Sequence, residues 1–142
     1  MKKNIARRFT LVSLLLTLIW GCSEKQSSAQ TADSTVEHLP VAEVQKMIAE
    51  NPQIPIIDVR TRQEFTGDLG HIAGAQLKPV QDIGNWVSQI DSLKDQTIIL
   101  VCRSGNRSGQ AAKYLAERGF KHLINVKGGM IDWNKNEYPI EK

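Results

Sequence analysis

Thr97-Ile98-Ile99-Leu100-Val101-Cys102-Arg103-Ser104-Gly105-Asn106-Arg107-Ser108 is the stretch that decides the fold of this chain. Thr97 to Val101 are β-branched or aliphatic with no polar alternation, the pattern of a strand covered on both faces, and such strands belong to parallel sheets. A short polar loop follows. The helix it leads into is read from Ser108 to Arg118 and stops at Gly119, an ordinary C-cap residue. Working outward, Thr35 to Leu39 reads as a short strand. Val41 to Glu50 reads as a helix with Val41, Val44, Met47 and Ile48 on its apolar face. Ile56 to Val59 is a second buried strand, followed by a short helix from Arg62 to Phe65, a loop from Gly67 to Gly70 and a small strand from Ala75 to Leu77. Ile83 to Ile90 reads as one helix with Trp86, Val87 and Ile90 inward. His122 to Val126 is a further strand, and Gly128-Gly129 precedes a last short helix through Trp133. Alternating strands and helices predict a single α/β domain over residues 35–142, with a mostly parallel central sheet and helices on both faces.

Ligands of open parallel sheets bind outside the carboxyl ends of the strands, which is where Cys102 stands. Backbone N–H groups in a loop that opens a helix can form an anion cradle, and the helix N-terminus adds positive partial charge. Arg103 and Arg107 add more. All three favour thiolate over thiol, which makes Cys102 a candidate nucleophile. The bland alternative is a cysteine serving as a small core hydrophobe.

The formal charge of +3 is misleading as a whole-chain figure. Four of the 18 Lys and Arg residues (Lys2, Lys3, Arg7 and Arg8) fall within residues 1–21, which hold no acid; the other 14 face 15 Asp and Glu. The mature chain is thus near −1 and lacks a basic, aromatic-interleaved face, so nucleic-acid binding is not expected. Residues 1–21 read as a signal peptide, with a basic start and an apolar run from Phe9 to Trp20. As a helix that run reaches about 18 Å, short of the roughly 30 Å of a bilayer core. Gly21-Cys22 resembles the lipobox of bacterial lipoproteins, which implies a lipid on Cys22 and an exported, periplasm-facing domain; an ordinary signal peptide with an incidental cysteine is the other reading. Ser23 to Ser34 is polar and aperiodic, the composition of a disordered tether reaching about 20 Å. Residues 22–34 therefore read as lipidated cysteine plus tether, which leaves Cys102 as a solitary thiol in an oxidising compartment.

Cys102-Arg103-Ser104-Gly105-Asn106-Arg107-Ser108 resembles the active-site loop of the rhodanese family, Cys-Arg-Ser-Gly-x-Arg-Ser. Three further segments resemble that family in the same order: Asp58-Val59-Arg60 with Glu64-Phe65, His71-Ile72-Ala73-Gly74-Ala75, and Gly128-Gly129 with Trp133. The resemblance covers about Val36 to Trp133. It implies a rhodanese-like domain and a sulfurtransferase in which Cys102 takes sulfane sulfur from a small anionic donor such as thiosulfate and passes it, as a persulfide, to cyanide or a thiol. Arg103, Ser104, Gly105, Asn106, Arg107 and Ser108 would bind the substrate, with Arg107 closing the loop and Arg103 shaping the entrance. Asp58 and Arg60 would support it structurally. No metal or organic cofactor is implied.

Two other readings stay open. One is a non-catalytic persulfide carrier or sulfide-binding module for a partner protein. The other is a phosphatase or arsenate reductase, whose loops place one residue more between cysteine and arginine than the four found here. Some rhodaneses that use thiosulfate carry an arginine near the position of Glu64. His71 reads as a hydrogen-bonded structural histidine rather than a base, and Trp86 and Trp133 as packing residues.

Overall fold

The computed structural model describes residues 35–142. The signal-peptide reading of residues 1–21 and the lipidation and tether readings of 22–34 lie outside the described residues. Among the described residues, no helix is long and apolar enough to cross a membrane.

Five strands, β1 (Thr35–Pro40), β2 (Ile56–Asp58), β3 (Gln76–Leu77), β4 (Thr97–Val101) and β5 (His122–Lys127), form one sheet in the order β1-β5-β4-β2-β3. Every pairing is parallel. The uninterrupted apolar run makes β4 the central strand, and it is buried on both sides. Ile98, Leu100 and Cys102 face one layer and Ile99 and Val101 the other, as the two-residue period of a strand requires.

Helices α1 (Val41–Glu50), α2 (Arg62–Phe65), α3 (Ile83–Trp86), α4 (Asn106–Ala116) and α5 (Gly129–Lys135) complete the domain. On one face, Ala111, Ala112 and Leu115 of α4 pack with Trp86, Ile90 and Phe120 against Ile57, Ile98, Leu100 and Leu123. On the other, Val41 and Val44 of α1 and Met130 and Trp133 of α5 cover Ile56, Ile99, Ile124 and Val126. Each fully buried aliphatic side chain in these layers contributes about 1.5–3 kcal/mol. Because both faces are covered, the loops at the carboxyl ends of the strands are left as the place for a site.

Strands β1, β2, β3 and β5 differ from the sequence expectation by one residue at one end, and α5 runs on past Trp133 to Lys135. Two helices depart further. Ile83–Ile90 is not one helix: α3 ends at Trp86 and a 3₁₀ segment runs from Val87 to Leu93, with Ile90 non-helical at φ −113°, ψ 15°. Gly84, Asn85 and Ser88 are weak helix formers, and the Trp86 indole N–H is held by the Pro79 carbonyl at 2.9 Å. Trp86 and Ile90 still reach the core together on either side of the break. Helix α4 spans Asn106–Ala116 rather than Ser108–Arg118. It starts early because Gly105, at φ +94°, turns the chain straight into helix. It ends early in i−3 bonds from the Arg118 and Gly119 N–H groups to Leu115 and Ala116.

Candidate active site

Cys102 is the first residue beyond β4, and the loop to Gly105 is shaped from outside by α5. The N–H groups of Met130 and Ile131 donate to the carbonyls of Cys102 and Arg103, at 2.9 and 3.0 Å. In a trans peptide the N–H points opposite to the C=O. Fixing those two carbonyls outward therefore turns the Arg103 and Ser104 N–H groups to the concave side. This close approach of α5 needs Gly129 (φ +56°), where a Cβ would press into the Cys102 carbonyl. Gly105 (φ +94°) is confined less severely, since a Cβ there would lie 3.0 Å from the Val126 carbonyl oxygen.

No side chain caps the N-terminus of α4, and the cysteine sulfur takes up part of that role. The Gly105 N–H donates to Sγ at 3.1 Å, and the Ser108 hydroxyl stands 3.3 Å from it. Cys102 is 1% exposed. That burial alone pushes the thiol up, but hydrogen bonds from the Ser108 hydroxyl and from the Ser108, Ser104 and Gly105 N–H groups outweigh it, holding the thiol below an ordinary cysteine. A buried sulfur ringed by donors is built to carry negative charge, which a core hydrophobe does not need.

The structure places the remaining loop residues differently from one another. Arg103, Ser104 and Asn106 are exposed at the rim, while Gly105 and Ser108 are buried. Arg107, expected to close the loop, reaches to Glu64. Its Nη1 and Nη2 donate to Oε2 and Oε1 at 2.8 and 2.5 Å. The reason is local: Thr61 and Glu64 form a capping box at the start of α2, which aims the Glu64 carboxylate at the first turn of α4. A bidentate carboxylate is a better partner for a guanidinium than one sulfur. The positive charge of Arg107 still acts on Cys102, and each favours the charged form of the other.

The Arg107 guanidinium, against some opposition from burial and with help from Thr61, holds the Glu64 carboxyl down to about 2 from its ordinary 4.5. A carboxyl depressed in the folded state adds stability that is complete above its unfolded pKa and disappears as pH falls through the folded one. The bridge is therefore expected to weaken from about pH 4.5 towards pH 2. Both side chains are about 30% exposed, so Glu64→Gln should cost no more than about 1 kcal/mol at pH 7. Urea unfolding at pH 7 and pH 3 checks this: the gap between wild type and variant should shrink at the lower pH, and a constant gap would contradict it.

Asp58 and Arg60 are fully buried beneath the loop. Arg60 Nε lies 3.0 Å from both Asp58 oxygens and Nη2 lies 2.7 Å from Oδ2. The remaining guanidinium donors hold the Glu64 and Gly70 carbonyls at 3.1 and 2.6 Å. His71 stacks on Phe65 with ring centroids 3.7 Å apart; its Nδ1 lies 3.2 Å from the Phe65 carbonyl and its Nε2 3.5 Å from Glu141. Trp86 and Trp133 are both buried in the core.

Two hollows flank the loop. A cleft of about 410 Å³ lies between Arg103, Gln63, Glu64 and Asp68. A groove of about 1120 Å³ runs past Ser104, Gly105 and Asn106 towards His38, Asn125 and Lys127. Among the described residues, no group of three or more His, Cys, Asp or Glu stands close enough to hold a metal ion. Sequence reasoning missed the Glu64–Arg107 pair and also Asn125, which accepts from the Ser108 hydroxyl at 2.6 Å. A polar residue inside the apolar run Leu123–Val126 was the available signal for Asn125.

Residues 40–136 match the family described as Rhodanese-like domain. A sulfurtransferase of Allochromatium vinosum is 31% identical over 105 residues, covering 74% of this chain and 94% of the relative. The thiosulfate sulfurtransferase GlpE of Shewanella oneidensis is 31% identical over 102 residues, covering 72% and 96%. The crystal structure of a rhodanese-like domain protein from Staphylococcus aureus superposes with a TM-score of 0.63 at 28% identity, over 75% of this chain and 99% of that one. With the fold, the loop and its relatives in agreement, this chain belongs to the rhodanese-like family, which includes sulfurtransferases.

Proposed function

We propose that the protein is a sulfurtransferase that works through a persulfide on Cys102, with thiosulfate as a competent donor. The observation that carries this reading is the Cys102 sulfur, buried and yet ringed by the Gly105, Ser104 and Ser108 donors. In the first half-reaction the Cys102 thiolate attacks the outer sulfur of thiosulfate. A new S–S bond forms, the old one breaks, and sulfite leaves with the electron pair. In the second, the cyanide carbon or an acceptor thiolate attacks the terminal sulfur and the cysteinyl thiolate departs, restoring the site. The loop N–H groups hold the anionic sulfur in both halves, and the exposed Arg103 draws anions to the rim.

Incubating the full chain with thiosulfate and weighing it intact tests this. A gain of one sulfur atom on the peptide holding Cys102 is expected, reversed by cyanide. A phosphoryl adduct from a phosphate ester would point instead to phosphatase chemistry, for which the loop is one residue short.

A second reading, a persulfide carrier loaded and unloaded by one partner protein, is favoured by the Glu64–Arg107 bridge, which neutralises a charge that would otherwise serve small anions. A mass gain without turnover on cyanide or small thiols would select it. The exported, lipid-anchored form is part of the proposal and rests on residues 1–22 as sequence. Membrane fractionation after expression should find the wild type in membranes and Cys22→Ser in the soluble fraction, whereas equal partition would remove the anchor.

A further inference from the structure

The larger groove holds a hydrogen-bonded path that ends on the catalytic sulfur. Strand register sets His38 of β1 beside Asn125 of β5. The Asn125 side-chain nitrogen lies 2.8 Å from His38 Nδ1 and donates to the Gly105 carbonyl at 3.0 Å. Its oxygen accepts from the Ser108 hydroxyl at 2.6 Å, and that hydroxyl stands 3.3 Å from Cys102 Sγ. His38 is exposed while Asn125, Ser108 and Cys102 are buried. Four side chains thus connect solvent to the sulfur.

Counting protons gives this path two directions. The two Asn125 N–H groups go to Gly105 and to His38 Nδ1, so Nδ1 is an acceptor and the ring proton sits on Nε2. Ser108 has one proton, and Asn125 competes for it at the shorter distance. In this arrangement Sγ receives only the lesser share of the Ser108 proton, so the hydroxyl supports the thiolate less than it could. If His38 takes up a second proton, Nδ1 becomes a donor and faces the Asn125 N–H groups. Turning the amide over relieves this: its oxygen accepts from the imidazolium, its nitrogen donates to Ser108, and the Ser108 proton is released to the thiolate. The turn replaces the Asn125–Gly105 bond by two facing oxygens, a cost that the new imidazolium and Ser108 bonds must exceed. The Gly105 carbonyl keeps the Gly109 N–H at 3.1 Å.

We propose that His38 is a titratable positioning residue for Cys102, acting through Asn125 and Ser108, so that a protonated His38 favours the thiolate. The inference rests on the same reactive cysteine as the sulfur-transfer reading. The other charged groups facing His38 in the groove are Lys113 of α4, Glu117 just past its end and Lys127 of β5, with Glu37 next to it on β1. The charge acting at Cys102 is Arg107, which is paired with Glu64 and itself feels Asp58. Histidine is the side-chain type among these that changes charge near neutrality.

Alkylation of the full chain by iodoacetamide, quantified on the peptide holding Cys102 from about pH 5 to about pH 9, tests the proposal. Wild type is expected to show the inflection of the thiolate and a second in the histidine range. On the acid side it should react about two- to fivefold faster than a single titration allows. His38→Gln keeps an acceptor for Asn125 but cannot titrate. It should show one inflection, with a rate at high pH within about twofold of wild type. Linkage requires the reciprocal effect: the His38 ring titration, followed by NMR, should fall by about 0.3–0.5 pH unit once Cys102 is alkylated. Two inflections retained in His38→Gln, or a His38 midpoint indifferent to alkylation, would overturn the proposal. Alkylation needs no sulfur donor, so failure here is separable from failure of sulfur transfer. A two-step profile without thiocyanate formation sinks only the latter.

Discussion

Cys102→Ser is expected to abolish thiocyanate formation from thiosulfate and cyanide while leaving the fold intact. The substitution exchanges sulfur for oxygen in a site whose walls are backbone: the Gly105 N–H and the carbonyl contacts from α5 remain. A serine hydroxyl does not ionise near neutrality even with those donors around it, and it cannot carry sulfane sulfur. The loss should be at least about 10³-fold in kcat/KM, with unfolding free energy changed by no more than about 1 kcal/mol. A steady-state thiocyanate assay beside a urea melt reads both quantities. Turnover above about one per cent of wild type would place sulfur transfer on some group other than Cys102.

Asp58→Ala carries the largest expected cost to stability. It removes one member of a pair in which both side chains are 0% exposed and leaves the Arg60 guanidinium buried with only the Glu64 and Gly70 carbonyls as partners. An uncompensated buried charge of this kind costs about 3–5 kcal/mol, a large fraction of what a domain of this size possesses. Replacing both residues, Asp58→Leu with Arg60→Met, should recover much of that loss, since no orphaned charge remains. Activity should not recover with it. Arg60 fixes the Glu64 and Gly70 carbonyls, and Glu64 in turn holds Arg107, whose charge acts on Cys102, so the double variant should be stable and still slow. Urea denaturation and the thiocyanate assay separate the two effects. A double variant as unstable as Asp58→Ala alone would show that the pair does more than balance charge.

The fold was legible because burial on both faces leaves a plain trace. β4 runs from Thr97 to Val101, α1 from Val41 to Glu50 and α2 from Arg62 to Phe65, each with the bounds expected from apolar pattern and punctuation. The segment from Ile83 to Ile90 was not legible. Its apolar spacing suits a helix, whereas the weak helix formers Gly84, Asn85 and Ser88 and the tie from the Trp86 indole to the Pro79 carbonyl accompany a break that the spacing does not show. At the site, the position of Cys102 and the glycines of its loop could be read from adjacent residues. The partner of Arg107 could not, since Glu64 stands 43 positions away and competes with the sulfur for the same guanidinium.

By itself, the sequence determined a parallel α/β domain with a cysteine at the carboxyl end of its central strand. Those features depend on neighbouring residues, through strand propensity, glycine turns and the start of a helix. Tertiary structure decided what surrounds the sulfur. The loop carbonyls are fixed by α5, the Arg107 charge is shared with α2, and the Ser108 proton is contested by Asn125 on β5 and, beyond it, His38 on β1. Hydrogen-bond partners are chosen by distance and angle, and in a crossover fold those are set between segments far apart along the chain.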